Sequence, residues 1–441
     1  MDGHQARRNV VHQRTPHLLH LCQRHAPQGK RRQQVITFRK GLSTLHQPCQ
    51  RIVVQGKEAL PVLASPYTMK QTNHTSDTPS RLLSLDTLRG FDMLFIMGAD
   101  AFFMCLGGMF PGTLLAKWGE QIEHVAWNGF AFYDLIFPLF LFIAGISFPF
   151  SLSKSLDMGA DKKQVSWKVV RRGLTLVFLG IVYNGLLDLD FVNLRYASVL
   201  GRIGTAWMLA SLLYMWTSRK VCLTLSTCIL MIYWAMLALL SAPDYPDASS
   251  FSMEGSIVGY IDRLFLPGKA YLGIHDPEGL LSTLPAVVTA MMGIMTGEYI
   301  RSAKMGGHKK SALLMGTGLT LFALGWAWNP ILPVNKNLWT SSFVLVAGGL
   351  SMTLFAAFYW IVDVLQWRRW TLFFRVVGMN SITIYLAQHF LDAQKPVKTI
   401  FGGVLGLVPE NYYSLAYWAI YVLVWWLFLY FLYKHKIFLK V

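Results

Sequence analysis

The chain has 441 residues, of which 54% are apolar and 14% charged, against roughly 25% charged in an ordinary soluble protein. That balance excludes a single water-soluble core and fits repeated runs of about 20 apolar residues, each able to cross the hydrocarbon of a bilayer. The formal charge of +17 is not a nucleic-acid footprint: residues 1–68 carry 11 Lys/Arg against 2 Asp/Glu, and the rest of the excess lies in short segments between apolar runs, where Lys and Arg set orientation.

Residues 1–68 hold six of the 12 histidines, many Gln and Arg, and no helical or strand period. No apolar stretch followed by small residues marks a signal peptide there. Met69 opens a short polar lead (69–80) of the kind that precedes a first span, so the expectation is that 1–68 is a basic extension ahead of the true start. A basic tail for anionic lipid or nucleic acid is the functional alternative.

From residue 81 onward, apolar runs of helical length fall near 87–110, 130–152, 169–187, 198–217, 221–241, 280–300, 311–329, 338–362, 372–392 and 413–433. Only helices or closed barrels satisfy the backbone in lipid, and these runs are too long for barrel strands. The expectation is an all-α polytopic membrane protein with about ten transmembrane helices. With the first span starting in the cytoplasm, segments 151–172, 218–220, 301–310, 363–375 and 434–441 hold eighteen Lys/Arg, and the opposite side holds eight. The positive-inside bias then puts both termini in the cytoplasm. The longest outer segment, near 242–279, is long enough for a small cap. Gly293-x-x-x-Gly297 is a pattern that lets two helices approach closely.

Ionisable groups inside spans are costly and are functional candidates by default. Asp86 and Arg89 open the first span; they read as a helix cap and a topology anchor, or as a contact to an anionic substrate. Arg171 and Arg172 on the same face admit the same pair of readings. His124 precedes the second span, and Asn128 and Asp134 follow it. Asp134 either orients an imidazole or pairs with an arginine; the plainer reading is an interfacial histidine and a helix-capping carboxylate. Asn335 and Lys336 lie just outside the eighth span. Asn380 and Ser381 sit at membrane depth in the ninth, where polar groups serve as interhelical glue or face a cavity. The outer segments also carry Asp276 and Glu278. The five cysteines form no CxxC, and the sequence has no metal-ligand pattern, phosphate loop or dinucleotide fingerprint.

Five strings occur in order: Arg81-Leu-Leu-Ser-Leu-Asp86-Thr-Leu-Arg89-Gly90; His124-Val-Ala-Trp127-Asn128-Gly129 with Asp134-Leu-Ile-Phe-Pro138; Asp276-Pro-Glu278-Gly279; Pro333-Val-Asn335-Lys336-Asn337-Leu-Trp339; and Gly378-Met-Asn380-Ser381. Together they resemble the heparan-α-glucosaminide N-acetyltransferase family, lysosomal and bacterial, over about 80–434. The resemblance implies transfer of an acetyl group from cytoplasmic acetyl-CoA to an amino sugar or glycan amine on the outer face of a bacterial inner membrane. It implies His124 as the catalytic histidine, either as general base or as acetyl carrier, and beside it Asp134 and Asn128 are the expected helpers. Arg89, Arg171, Arg172, Asn380 and Ser381 are expected on the acetyl-CoA side, and Asp276, Glu278, Asn335 and Lys336 on the acceptor side. No metal and no nucleic acid are expected, and a homodimer is compatible with the sequence. Two departures are visible: the large outer domain that precedes the first span in the lysosomal enzyme is missing, and Gln388-His389 stands where the animal relatives carry a His-Glu pair. A transporter or flippase for an envelope sugar, and an O-acyltransferase on an envelope glycan, are the rival readings.

Overall fold

The computed structural model describes residues 82–439. The expectations about 1–68 and 69–80, together with Arg81, Cys22 and Cys49, fall outside those residues. Among the described residues every named element is a helix, and isolated bridges join parts of the segments between helices.

Helix α1 (Leu83–Leu94) runs through a π segment (Phe95–Ala99) into α2 (Asp100–Met109). The bend needs Gly98, whose φ of 120° is closed to side chains. Helix α3 (Leu114–Gln121) is followed by a 3-10 turn (Phe132–Leu135) leading into α4 (Ile136–Phe150). Next come α5 (Leu152–Asp157), α6 (Lys162–Tyr183), α7 (Val199–Trp216), α8 (Arg219–Leu239) and the short α9 (Ile257–Phe265). Then follow α10 (Thr283–Ser302), α11 (Gly307–Trp328) and α12 (Ser341–Tyr359), which ends in a π turn. The chain closes with α13 (Thr371–Gly378), α14 (Ser381–Phe390), α15 (Gln394–Leu405) and α16 (Glu410–Lys434). Side chains set several starts: Ser198, Ser218, Ser256 and Thr340 each accept a backbone N–H from the first turn they precede.

Six helical stretches among the described residues are long and apolar enough to cross a membrane: Leu83–Met109, Phe132–Asp157, Arg219–Leu239, Gly307–Trp328, Ser341–Val364 and Glu410–Lys434. The protein is therefore a helical membrane protein. The other four apolar runs are helical with a different character. The run at 169–187 belongs to α6, whose first half carries five Lys/Arg. Those at 198–217 and 280–300 are α7 and α10. The run at 372–392 is interrupted at Met379 and Asn380, between α13 and α14.

The core lies where α4 crosses α10. A Cβ on Gly293 would stand 2.1 Å from the Phe142 carbonyl oxygen, one on Gly297 2.6 Å from that of Ile146, and one on Gly145 2.3 Å from that of Ala290. The small-residue pattern is thus spent on backbone contact. A second crossing joins α1 to α13, where Gly90 meets the Phe374 carbonyl and Gly378 meets that of Asp86. Leu223, Ile232, Leu313, Leu319, Leu324 and Phe431 stay exposed on α8, α11 and α16, the surface a bilayer would cover.

Candidate active site

His124 lies in the irregular segment between α3 and the 3-10 turn, and Asp134 lies in that turn. The Asp134 carboxylate is 1% exposed, while the imidazole is 41% exposed. His124 Nδ1 is 2.7 Å from Asp134 Oδ1. Asp134 Oδ2 accepts the Ala131 N–H at 3.1 Å. Asp134 thus meets both the imidazole and the backbone N–H that opens the turn. A carboxylate at Nδ1 favours the tautomer that carries its proton on that nitrogen.

The cation at this carboxylate is an ammonium instead of the arginine left open by the sequence. Lys336 Nζ lies 3.1 Å from His124 Nδ1 and 3.2 Å from Nε2, and 3.4 Å from Asp134 Oδ1. The loop before α12 brings it there. Asn335, fully buried, donates from Nδ2 to Asn128 Oδ1 at 3.0 Å and accepts the Leu338 N–H at 2.8 Å. Gly129, at φ 122°, gives its N–H to the Val334 carbonyl at 2.8 Å. Trp339 turns the loop at φ 51°, an uncommon conformation for a bulky residue. It is held by its N–H to the Lys336 carbonyl and by Thr340 N–H to that of Asn335, both at 3.1 Å. Three residues from the 120s and 130s and two from the 330s therefore share one site.

Sequence reasoning missed Tyr133 and Asp100. The Tyr133 ring is 4.7 Å from the His124 ring at 46°, and its hydroxyl donates to Asp100 Oδ2 at 2.8 Å. The available signal was an aspartate in the apolar run 87–110. The Trp127 indole N–H bonds the Phe251 carbonyl at 2.7 Å and ties this segment to the 242–279 loop.

Asp276 and Glu278 form a second cluster, on Arg195. The guanidinium grips Asp276 with Nε at 2.8 Å and Nη2 at 2.7 Å, and Nη2 also reaches Glu278. Asp276 further accepts the N–H groups of Tyr271 and Glu278 and is fully buried. Burial by itself pushes this carboxyl up, but the Arg195 bonds and charge outweigh it and hold Asp276 below the usual carboxylate range. Nearby, burial pushes the Asp262 carboxyl up to about 7 and the His275 imidazole down to about 4. Asp262 takes the Leu280 N–H at 2.8 Å, and His275 Nε2 is 3.1 Å from the Asn337 carbonyl. The Asn335–Trp339 loop thus connects both clusters.

The five residues expected on the acetyl-CoA side are spread out. Arg89 donates to Ser147 Oγ at 2.8 Å, with Asp86 3.5 Å from its Nη1. Asp86 is inside the first turn of α1, and the cap position belongs to Leu82, which makes no side-chain cap bond; the capping reading of Asp86 is corrected accordingly. Ser147 is thirteen residues beyond Asp134, about 20 Å along the helix, so Arg89 and His124 mark opposite ends of α4. Arg172 lies within electrostatic range of Arg89 and stacks on Trp207 at 4.7 Å, whereas Arg171 is exposed. Asn380 and Ser381 are buried at the break between α13 and α14.

No family model matches the chain. Two curated proteins do: heparan-alpha-glucosaminide N-acetyltransferase of Homo sapiens, 27% identical over 422 aligned residues, and that of Mus musculus, 27% over 420. The alignments cover 83% and 82% of this chain, and the chain spans 61% of the length of each relative. A match of that extent supports a family relationship between this chain and the heparan-alpha-glucosaminide N-acetyltransferases.

Proposed function

We propose that this protein is a membrane acyltransferase that moves an acetyl group from acetyl-CoA to the amine of an amino sugar or glycan, with His124 as the general base. The observation that carries the reading is the His124–Asp134 pair with Lys336 beside it, in a chain related to N-acetyltransferases.

The chemistry follows from the geometry. An amine must be neutral to attack a thioester, and an imidazole titrating near neutral pH can take its proton. The amine nitrogen forms the new C–N bond, Nε2 receives the amine proton, and the C–S bond breaks as the tetrahedral centre collapses. The proton passes to the departing sulfur, leaving the N-acetyl product and coenzyme A thiol. Asp134 holds the ring and stabilises the imidazolium. Lys336 meets negative charge developing on the carbonyl oxygen, and Asn128, bonded to Asn335, is a second donor for it. Asn335 sets the loop that carries Lys336. With its oxygens already engaged, Asp276 acts by shaping the acceptor side through Arg195, next to Glu278.

Acetyl-CoA is too polar to cross lipid unaided. The long, thin pantetheine arm would run along the bundle from a nucleotide end at Arg89, Arg171 and Arg172, past Asn380 and Ser381, to His124 about 20 Å away. In this reading the ten apolar runs all cross, both termini lie in the cytoplasm and His124 faces outward. The membrane is a bacterial inner membrane, with the segment near 242–279 as cap.

The test uses purified protein in lipid nanodiscs, offered acetyl-CoA and glucosamine, with release of coenzyme A thiol and product analysis. Acetylation of the amine is expected, and His124→Ala should lower it by about 10²-fold or more with an unchanged melting curve. An ester product would point to O-acylation, and no consumption of acetyl-CoA, or full activity in His124→Ala, would refute the assignment.

A further inference from the structure

We infer that Tyr133 and Asp100 are positioning residues for His124, a second brace that fixes the plane of the imidazole independently of Asp134. The inference rests on the reading of His124 as the reacting base and extends it to two residues with no role there.

One hydrogen bond between Nδ1 and Asp134 fixes a point on the ring and leaves it able to swing about that contact. A neighbour against the ring removes the swing, and Tyr133 provides it at 4.7 Å and 46°. Tyr133 and Asp134 are successive residues of one 3-10 turn, so the face contact and the carboxylate come from the same rigid unit. Tyr133 is itself fixed at its far end, where its hydroxyl donates to Asp100. Asp100 begins α2 directly after the π segment, so the bend at Gly98 helps determine where its carboxylate stands. An aspartate in an apolar helix is expensive and calls for a purpose. A plain staple between α2 and the turn could use an uncharged acceptor; Asp100 in addition lies within electrostatic range of His124.

Among the described residues, titratable and charged groups that face His124 include Asp134 and Tyr133 from the turn, Lys336 from the loop before α12, and Asp100 from α2. Asp134 and Lys336 oppose each other in sign. Removing the Asp100 charge therefore leaves less negative potential at the imidazole, which makes it easier to deprotonate.

The experiment measures carbethoxylation of His124 by diethyl pyrocarbonate between pH 5 and 8, quantified by peptide mass spectrometry on protein in nanodiscs. This readout does not depend on acetyl transfer. Asp100→Asn, which keeps the acceptor and removes the charge, is expected to lower the midpoint by about half a unit. Tyr133→Phe, which keeps the ring and cuts it loose from Asp100, should lower kcat for acetylation about 5- to 20-fold with KM unchanged. Tyr133→Leu should lower kcat further. An unmoved midpoint in Asp100→Asn together with normal kcat in Tyr133→Phe reduces the pair to a structural staple and overturns the inference. A moved midpoint in a protein that transfers no acetyl group would sink the proposed function and leave the brace standing. If Asp100→Asn does not fold, the Tyr133→Phe rate decides alone.

Discussion

Asn335 Nδ2 donates to Asn128 Oδ1 at 3.0 Å across 207 residues of chain. The same amide accepts the Leu338 N–H at 2.8 Å, so one buried side chain joins the histidine segment to the lysine loop and shapes that loop as well. Amides suit this task because they donate and accept at once without placing a charge beside His124 and Lys336.

Asn335→Ala is expected to leave the Leu338 N–H and the Asn128 carbonyl oxygen unmatched. Stranding buried polar groups costs about 1–3 kcal/mol, read as a lower melting temperature. Because the loop that carries Lys336 loosens, acetyl transfer should also fall by about tenfold or more. A variant with the wild-type rate would show that the loop is placed by other contacts.

The cluster around Asp262 and His275 should show two opposed pH dependences. Asp262, pushed up to about 7 by burial, binds its proton more tightly folded than unfolded. Its contribution is present below its unfolded value of about 3.9 and is lost as pH rises through about 7. His275, pushed down to about 4 by burial, behaves oppositely: its contribution is present above about 6.5 and is lost as pH falls toward about 4. Across the shared window the slopes offset each other. Asp262→Asn should therefore give stability that rises with pH between the two His275 values. His275→Gln should give stability that falls with pH toward about 7. Melting temperatures in nanodiscs from pH 4 to 8 check both, and parallel curves for the two variants would count against this account.

Gly293→Val places a branched side chain where even a lone Cβ would collide with the Phe142 carbonyl oxygen. Forcing α4 and α10 apart is expected to cost at least about 1–3 kcal/mol. Because α4 also begins at the Asp134 turn, activity should drop with stability. Gly316→Ala on α11, which meets nothing within 4 Å, is the matched control and should melt like the wild type.

Much of this was legible from the chain. Apolar runs announced the helices because lipid forces the backbone to satisfy itself within each segment. Gly293 and Gly297 announced a close crossing. His124 and Asp134 stood ten residues apart at the mouth of an apolar run, near enough that local folding could bring them together. Six stretches meet the length and apolarity of a membrane span. The remaining four runs did not separate by hydropathy into intact and broken helices, since the break at Met379 and Asn380 leaves the apolar run unbroken in sequence.

The sequence by itself determined that this is a helical membrane protein with an imidazole and a carboxylate at the start of one helix, because both properties depend on residues close along the chain. Only the tertiary structure decided which cation joins them, that Asn335 clasps Asn128, that Asp276 is consumed by Arg195, and that Tyr133 and Asp100 stand behind the histidine. Those outcomes depend on contacts between segments far apart in sequence. Their partners are chosen by how whole helices pack, and neither spacing nor composition records that choice.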